Sequence, residues 1–169
     1  MIRKTSLPQS KIVDTSKKFK DQYIVSDEVI THSHGSAGEH AHESLAFTTW
    51  LDFSLAAKQA KRIQEVLIRI RPELKDAFEA NFSLLEKDLM ALDSELKEIV
   101  SKNPTRPLIA SHPVYDYFAR RYQLNLKSVH WEPDELVSTG QWIAFKAIIK
   151  EHPSSWMIWE GDPIDESVH

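Results

Sequence analysis

A histidine-rich segment at residues 31–43 carries the densest group of potential metal ligands in the sequence. Its sequence, THSHGSAGEHAHE, places two His-x-His pairs among small residues without hydrophobic periodicity, and we call it the His-rich segment. Its four imidazoles belong to His32, His34, His40 and His42. Imidazole is the commonest side-chain ligand for zinc and similar ions at neutral pH. Because the histidines are internal and interspersed, they differ from an engineered tag and predict metal binding.

The composition predicts a globular chain and restricts the chemistry of any metal site. With 169 residues, 41% hydrophobic and 27% charged, the chain is long enough to form a core. Cysteine is absent, so any metal must bind through nitrogen and oxygen. The 21 basic and 25 acidic residues give a formal net charge of −4 without a basic block, which argues against nucleic acid as a partner.

The N-terminal sequence, MIRKTSLPQSKIVDTS, has early basic residues but no apolar core and no small-residue cleavage site. No run of eighteen apolar residues follows anywhere in the chain. The sequence as written therefore predicts no signal peptide and no membrane span. If the chain is expressed in this form, a cytoplasmic location is expected.

Two consecutive amphipathic helices are predicted in the middle of the chain. The first has Asp52 or Ser54 as its N-cap and an apolar stripe at helical spacing up to Ile70. Pro72 suits the first turn of the second helix, whose apolar stripe runs from Leu74 to Ile99. This helix is predicted to end near Asn103 and to be about 45 Å long. A coiled coil is one interpretation of this length. The absence of a polar core position and the modest charge pairing beside the stripe favour packing within the chain.

Short strands and helices alternate after residue 106, which predicts a βαβαβ parallel sheet. The predicted strands cover residues 108–110, 126–129 and 156–159, and the first helix covers 114–122. Ser138 and Gln141 form a capping box that begins the second helix, which runs to about Glu151. The predicted fold class is therefore α/β, with a long connecting helix followed by a parallel-sheet lobe.

Potential metal ligands follow each of the three predicted strands. They are His112 after the first strand, Glu132, Asp134 and Glu135 after the second, and Glu160 and Asp162 after the third. Open parallel sheets bind small molecules and ions beyond the carboxyl ends of their strands, where the loops meet. We therefore expect these side chains to converge. One imidazole with one or two carboxylates makes most of a zinc or manganese site.

Each of these residues also has a simpler interpretation. His112 alone is more often a satisfied polar residue than a ligand, and Asp134 suits the N-terminus of the following helix. Residues 160–163 have the sequence of an ordinary polar turn. The convergence of three strand ends is what favours a site.

Three further histidines are not predicted to bind metal. His130 lies between Val129 and Trp131 and is predicted to point into a packed face, whereas His152 and His169 are predicted to be surface residues. An enzyme is also not predicted, because the sequence has no Gly-x-Ser-x-Gly, Walker or His-Glu-x-x-His motif.

The chain resembles the zinc- and manganese-specific substrate-binding proteins of bacterial ABC importers, in which a long rigid helix joins two lobes. The His-rich segment precedes TTWLD, which is similar to the family's His-x-Trp-Leu-Asp-Pro. The helix pair through RIRPELKDAFEANFSLLEKDLMALDSELKEI and the segment SHPVYDYFARRYQLNL also carry the resemblance, with residues 117–122 the most specific stretch. Thr48 replaces the family's first-lobe histidine ligand and Phe53 its proline. A histidine of the His-rich segment is a candidate substitute for that ligand.

The resemblance implies three regions and a set of ligands. Residues 1–71 correspond to the remnant of an N-terminal lobe, 72–103 to the connecting helix, and 104–169 to a partial C-terminal lobe. His112 matches the second-lobe histidine ligand, and Glu160 matches a strand-end glutamate. Glu132 or Glu135 matches a further ligand position, and the spacing leaves the choice between them open. The resemblance covers only about the middle half of the family, which implies truncation at both ends.

The function implied by the resemblance is binding of a divalent metal, zinc before manganese, as the substrate-binding component of an ABC importer. The implied partner is a membrane permease, and the implied location is periplasmic. An alternative is a transport-incompetent fragment that acts as a zinc buffer or a helical scaffold. Metal-dependent hydrolysis is a third hypothesis. Self-association is expected if a missing lobe leaves apolar surface uncovered.

Overall fold

The computed structural model describes residues 7–30 and 42–168, which divide into two compact units between Ser94 and Glu95. The helices are α1 (Phe53–Ile70), α2 (Lys75–Ser101), α3 (Asp116–Tyr122) and α4 (Thr139–Glu151). The strands are β1 (Val25–Ile30), β2 (His42–Leu45), β3 (Pro107–Ala110), β4 (Asn125–Ser128) and β5 (Met157–Ile158). Within these ranges, no helix combines the length and apolar character needed to cross a membrane.

Strands β1 and β2 form an antiparallel hairpin in the first unit. The register pairs Val25 with Leu45 and Ile30 with His42, with an irregularity between Ser26 and Val29. The sequence around Tyr23 to Val25 favours one short strand before the His-rich segment, whereas the partner strand β2 is not predicted from the sequence. Ile30 and His42, the described residues on either side of 31–41, are therefore neighbours in this hairpin.

Helix α1 begins where a side chain satisfies its first backbone amides. A carboxylate oxygen of Asp52 accepts hydrogen bonds from the amides of Ser54 and Leu55, at 2.9 and 3.3 Å. Asp52 is therefore the N-cap of the two that the sequence allowed. Leu55 and Phe19 are fully buried and anchor the core of this unit.

Helix α2 exposes much of its apolar stripe. A separate 3-10 turn occupies Pro72–Leu74, and the α-helix begins at Lys75. Leu85 and Leu92 are each 47% exposed and Ile99 is 60% exposed, whereas Asp93 is the one buried residue of this helix. The packing within the chain that the sequence favoured for this stripe is therefore incomplete in the described residues. Self-association through it stays a prediction.

The second unit contains the predicted parallel sheet. Strand β3 is central and pairs in parallel with β4 on one side and β5 on the other. Its core is formed by Ile109, Val129 and Trp131. Side chains from α4, from β5 and the residue that follows it, and from the segment before α4 pack against this core. They are Val137, Trp142, Phe145, Ile148, Ile149, Met157 and Trp159. The α/β fold class is confirmed, and so is the capping box at Ser138 that begins α4.

Candidate metal site

The carboxyl ends of the three parallel strands converge, as the sequence predicted. The backbone amide of Ser111 donates to the Ile158 carbonyl at 2.8 Å, so the residue after β3 is still bonded to the last residue of β5. The amide of Ile164 donates to the Pro133 carbonyl at 2.9 Å, which ties the segment after β5 to the segment after β4. Side chains that follow each strand therefore share one edge of the sheet.

Pairing between β3 and β4 becomes irregular beyond the two strands. Two consecutive carbonyls, those of Ala110 and Ser111, accept hydrogen bonds from amides two residues apart, those of Val129 and Trp131, at 2.9 and 2.7 Å. The segment after β4 therefore carries one extra residue, His130, relative to the segment after β3, as in a β-bulge. Bulges of this kind redirect a side chain and are common beside functional sites.

His130 faces away from the core, which makes its predicted orientation wrong. Val129 and Trp131 are buried, and Trp131 is 3% exposed. Because successive side chains of an extended chain point to opposite sides, the residue between them is exposed. Apolar residues on both sides of a strand residue do not indicate that it is buried itself, because only alternate positions reach the core.

Three side chains from two strand ends lie close together at this edge, and we call His112, His130 and Glu132 the strand-end cluster. Nε2 of His112 is 3.6 Å from Oε1 of Glu132. The rings of His112 and His130 have centroids 5.7 Å apart and are inclined at 74°. The His112 side chain is 26% exposed and that of Glu132 is 47% exposed, so the cluster is accessible from solvent.

Two buried polar atoms at the end of β3 have no hydrogen-bond partner in the described part of the chain. They are Oγ of Ser111 and Nδ1 of His112. An unsatisfied buried polar atom costs about 1–3 kcal/mol, and functional sites are among the places where proteins tolerate one. Since the two residues are consecutive, this cost is concentrated where the strand-end cluster begins.

Of the two glutamates after β4, the structure places Glu132 beside His112. The backbone of Glu135 forms part of the following turn, where its amide donates to the Glu132 carbonyl at 3.3 Å. Its own carbonyl accepts a hydrogen bond from the Ser167 hydroxyl at 3.2 Å, and its side chain is exposed. Glu132 is therefore the stronger candidate ligand.

Glu160 interacts with Tyr115 at the same edge. The Tyr115 hydroxyl donates to the Trp159 carbonyl at 3.1 Å. Burial raises the pKa of the Tyr115 phenol, and the negative charge of Glu160 raises it further. The carboxylate of Glu160 is thus near the end of β5, where the sequence placed a candidate ligand.

The remaining predicted ligands and histidines have different outcomes. His32, His34 and His40 lie outside the described residues, as does His169, and His42 is described only as a backbone position of β2. His152 is buried, and its Nε2 lies 2.9 Å from the Leu108 carbonyl. The prediction of a surface role for His152 is therefore wrong, because its ring fastens the end of α4 to β3.

The described residues do not contain a complete ligand set in the positions that the side chains now occupy. Across residues 7–30 and 42–168, no three His, Asp or Glu side chains lie close enough together to hold a metal ion. The pair of His112 and Glu132 supplies two potential donors, whereas a typical zinc site has four ligands.

Comparison with known proteins gives a consistent picture. Residues 3–161 match the family described as zinc-uptake complex component A, periplasmic, or ZnuA. A putative metal-binding protein of Chlamydia muridarum is 30% identical over 104 residues, which cover 62% of this chain and 38% of that protein. The zinc-binding lipoprotein AdcA of Streptococcus pneumoniae is 26% identical over 130 residues, which cover 76% of this chain and 26% of that protein.

Solved structures show the same fold. The Zn(II)-bound AdcA of Streptococcus pneumoniae superposes with a TM-score of 0.67 at 21% identity, covering 75% of this chain and 28% of that chain. The metal-dependent lipoprotein YcdH of Bacillus subtilis gives a TM-score of 0.65 at 24% identity, covering 70% and 46%. The matched part of the chain thus covers less than half the length of each of these relatives, from 26% to 46%.

Proposed function

We propose that this chain, which belongs to the ZnuA family of periplasmic zinc-uptake components, binds a divalent metal ion, with zinc preferred, as part of the substrate-binding component of an ABC importer. One observation carries the proposal: a histidine nitrogen and a glutamate oxygen lie 3.6 Å apart at the ends of two parallel strands. Neutral imidazole and carboxylate are ligands that zinc accepts. The relatives include a zinc-binding lipoprotein whose structure holds Zn(II), which supports zinc over manganese.

In this proposal, two regions have different roles. His112 and Glu132 supply defined ligands at the sheet edge, with Glu160 a further candidate at the end of β5. The His-rich segment collects ions weakly and raises their local concentration, because its donors are dense in the sequence. A membrane permease is the proposed partner, and the extracytoplasmic side of the membrane is the proposed location, as the family's description suggests. We propose no catalysis.

A matched pair of substitutions tests the proposed site. Glu132→Gln and Glu135→Gln make the same chemical change three residues apart, but only Glu132 contacts His112. We expect Glu132→Gln to weaken the tightest zinc-binding event at least about tenfold, and Glu135→Gln to change it less than about threefold. Titration calorimetry with zinc measures both dissociation constants.

Two results would contradict the proposal. One is an unaltered chain that binds zinc no more tightly than about 10 μM, a level that a weak surface group of histidines reaches. The other is an equal loss of affinity in the two variants, because a general effect of negative charge would then explain the binding.

A further inference from the structure

We propose that His130 is a metal ligand and that it makes the strand-end cluster selective for zinc over manganese. The inference rests on the proposed function, since it assigns a further ligand to the same site. Neither the sequence pattern nor the descriptions of the relatives point to His130. The feature that does is its place at the sheet edge, where alternation with buried Val129 and Trp131 turns it out of the core and its ring lies beside that of His112.

The backbone of His130 is held firmly at the sheet edge. The amides on either side of it donate to the carbonyls of Ala110 and Ser111, and its own carbonyl accepts a hydrogen bond from the Gln141 side chain at 3.0 Å. Trp131 packs between Trp142 and Phe145, with ring centroids 4.9 and 4.8 Å away. The backbone position of His130 is thus fixed by buried neighbours, and its side chain is exposed at the sheet edge beside the ring of His112.

The distances within the strand-end cluster are close to those that one tetrahedral ion requires. With Zn–N bonds of about 2.0–2.1 Å, two imidazoles on one ion have ring centroids roughly 5 Å apart, and two ligand atoms are about 3.3 Å apart. The rings of His112 and His130 are 5.7 Å apart, and the Nε2 of His112 is 3.6 Å from the carboxylate of Glu132. Both distances exceed the required ones by less than about 1 Å, and in this proposal small side-chain rotations close the strand-end cluster on the ion.

The chemistry of this donor set decides which ion it prefers. Two imidazoles and one carboxylate give two nitrogen ligands and one oxygen ligand. Imidazole suits zinc, whereas carboxylate, carbonyl and water ligands suit manganese. Removing the second imidazole should therefore reduce zinc affinity more than manganese affinity.

The test compares His130→Ala with Lys127→Ala in the full chain. Lys127 is an exposed residue of the same strand, so its truncation controls for a general effect on β4. Both variants are made in a background with His32→Ala, His34→Ala, His40→Ala and His42→Ala, so that the His-rich segment contributes no imidazole. We expect His130→Ala to weaken zinc binding at least about tenfold and manganese binding less than about threefold, and Lys127→Ala to weaken neither.

X-ray absorption of the zinc-loaded proteins gives a second readout, because it counts imidazole ligands directly. We expect one fewer imidazole in His130→Ala than in Lys127→Ala. Equal zinc affinity and equal imidazole counts in the two variants, with binding that still depends on Glu132, would overturn the role of His130 and leave the proposed function intact. A background protein that binds zinc no more tightly than about 10 μM would overturn both.

Discussion

The His-rich segment and the strand-end cluster present metal ligands in opposite ways. The first places four imidazoles within a short stretch of sequence, next to a two-stranded hairpin in which Val25 and Leu45 are each 51% exposed. The second brings together only two imidazoles and one carboxylate, but on strands whose neighbouring side chains form a core. An isolated two-stranded hairpin is marginally stable, whereas a packed sheet holds its ends in place. Density of ligands along a sequence and fixed geometry are therefore separate properties, and high affinity depends on the second.

The largest effect is expected from removing the core of the sheet rather than any ligand. Trp131 is buried among aromatic rings and sits between His130 and Glu132. We expect Trp131→Ala to lower the free energy of unfolding of the second unit by about 3–5 kcal/mol, because it removes a large buried ring. Chemical denaturation followed by tryptophan fluorescence and circular dichroism measures this loss.

The same variant separates the two regions. If the strand-end cluster depends on the packed sheet, Trp131→Ala loses the tightest zinc-binding event and keeps the weak binding of the His-rich segment. Trp156→Ala is the matched control, since Trp156 is 61% exposed and should contribute much less to stability. Retention of tight zinc binding in an unfolded Trp131→Ala protein would show that preorganisation by the sheet is not the source of affinity.

The sequence predicted the sheet well because its signals are local and repeated. Apolar runs bounded by turn residues, the capping box at Ser138 and the carboxylate at Asp52 each depend on neighbours within a few positions. The convergence of strand ends then follows from parallel topology alone. For this reason, the proximity of His112 to Glu132 was within reach of the sequence.

The orientations of single side chains were harder to predict from the sequence than the sheet was. The backbone position of His130 depends on a one-residue irregularity in strand pairing with Ala110 and Ser111, and no local pattern specifies where such an irregularity occurs. His152 depends on a contact with the carbonyl of Leu108, 44 positions earlier in the chain. The burial of Val129 and Trp131 did offer one usable signal, since alternation along a strand predicts that the residue between them is exposed.

A pair of histidine variants tests the comparison at intermediate magnitude. We expect His112→Ala to weaken the tightest zinc-binding event about 100-fold and to leave the weak events unchanged, since it removes a ligand from the fixed site. Replacing His32, His34, His40 and His42 together by Ala should do the reverse, removing the weak events and changing the tightest one less than about threefold. Calorimetric stoichiometry and dissociation constants measure both.

The pattern of these two results also separates the proposed receptor from its alternative. A transport-incompetent zinc buffer would lose zinc binding when the four histidines of the His-rich segment are replaced. Its zinc affinity would not change in His112→Ala. If both sets of substitutions abolish the same binding event, the two regions form a single site, and the contrast drawn between them is wrong.

The smallest effect is expected at the end of β5, where the charge of Glu160 acts on Tyr115. Burial is the larger cause of the raised Tyr115 pKa and the carboxylate is the smaller one, so Glu160→Gln should lower that pKa while leaving it above its ordinary value of 10.0. Because the folded state holds the phenolic proton more tightly than the unfolded state, the associated stability is present below pH 10 and is lost as the pH rises through the raised pKa. Alkaline titration of tyrosinate absorbance, with Tyr115→Phe subtracted, measures the shift, and Asp162→Asn at the same turn is the control. An unchanged Tyr115 pKa in Glu160→Gln would place the carboxylate away from the sheet edge and remove Glu160 from the candidate ligands. The strand-end cluster would then be the part of the second unit whose geometry supports metal binding.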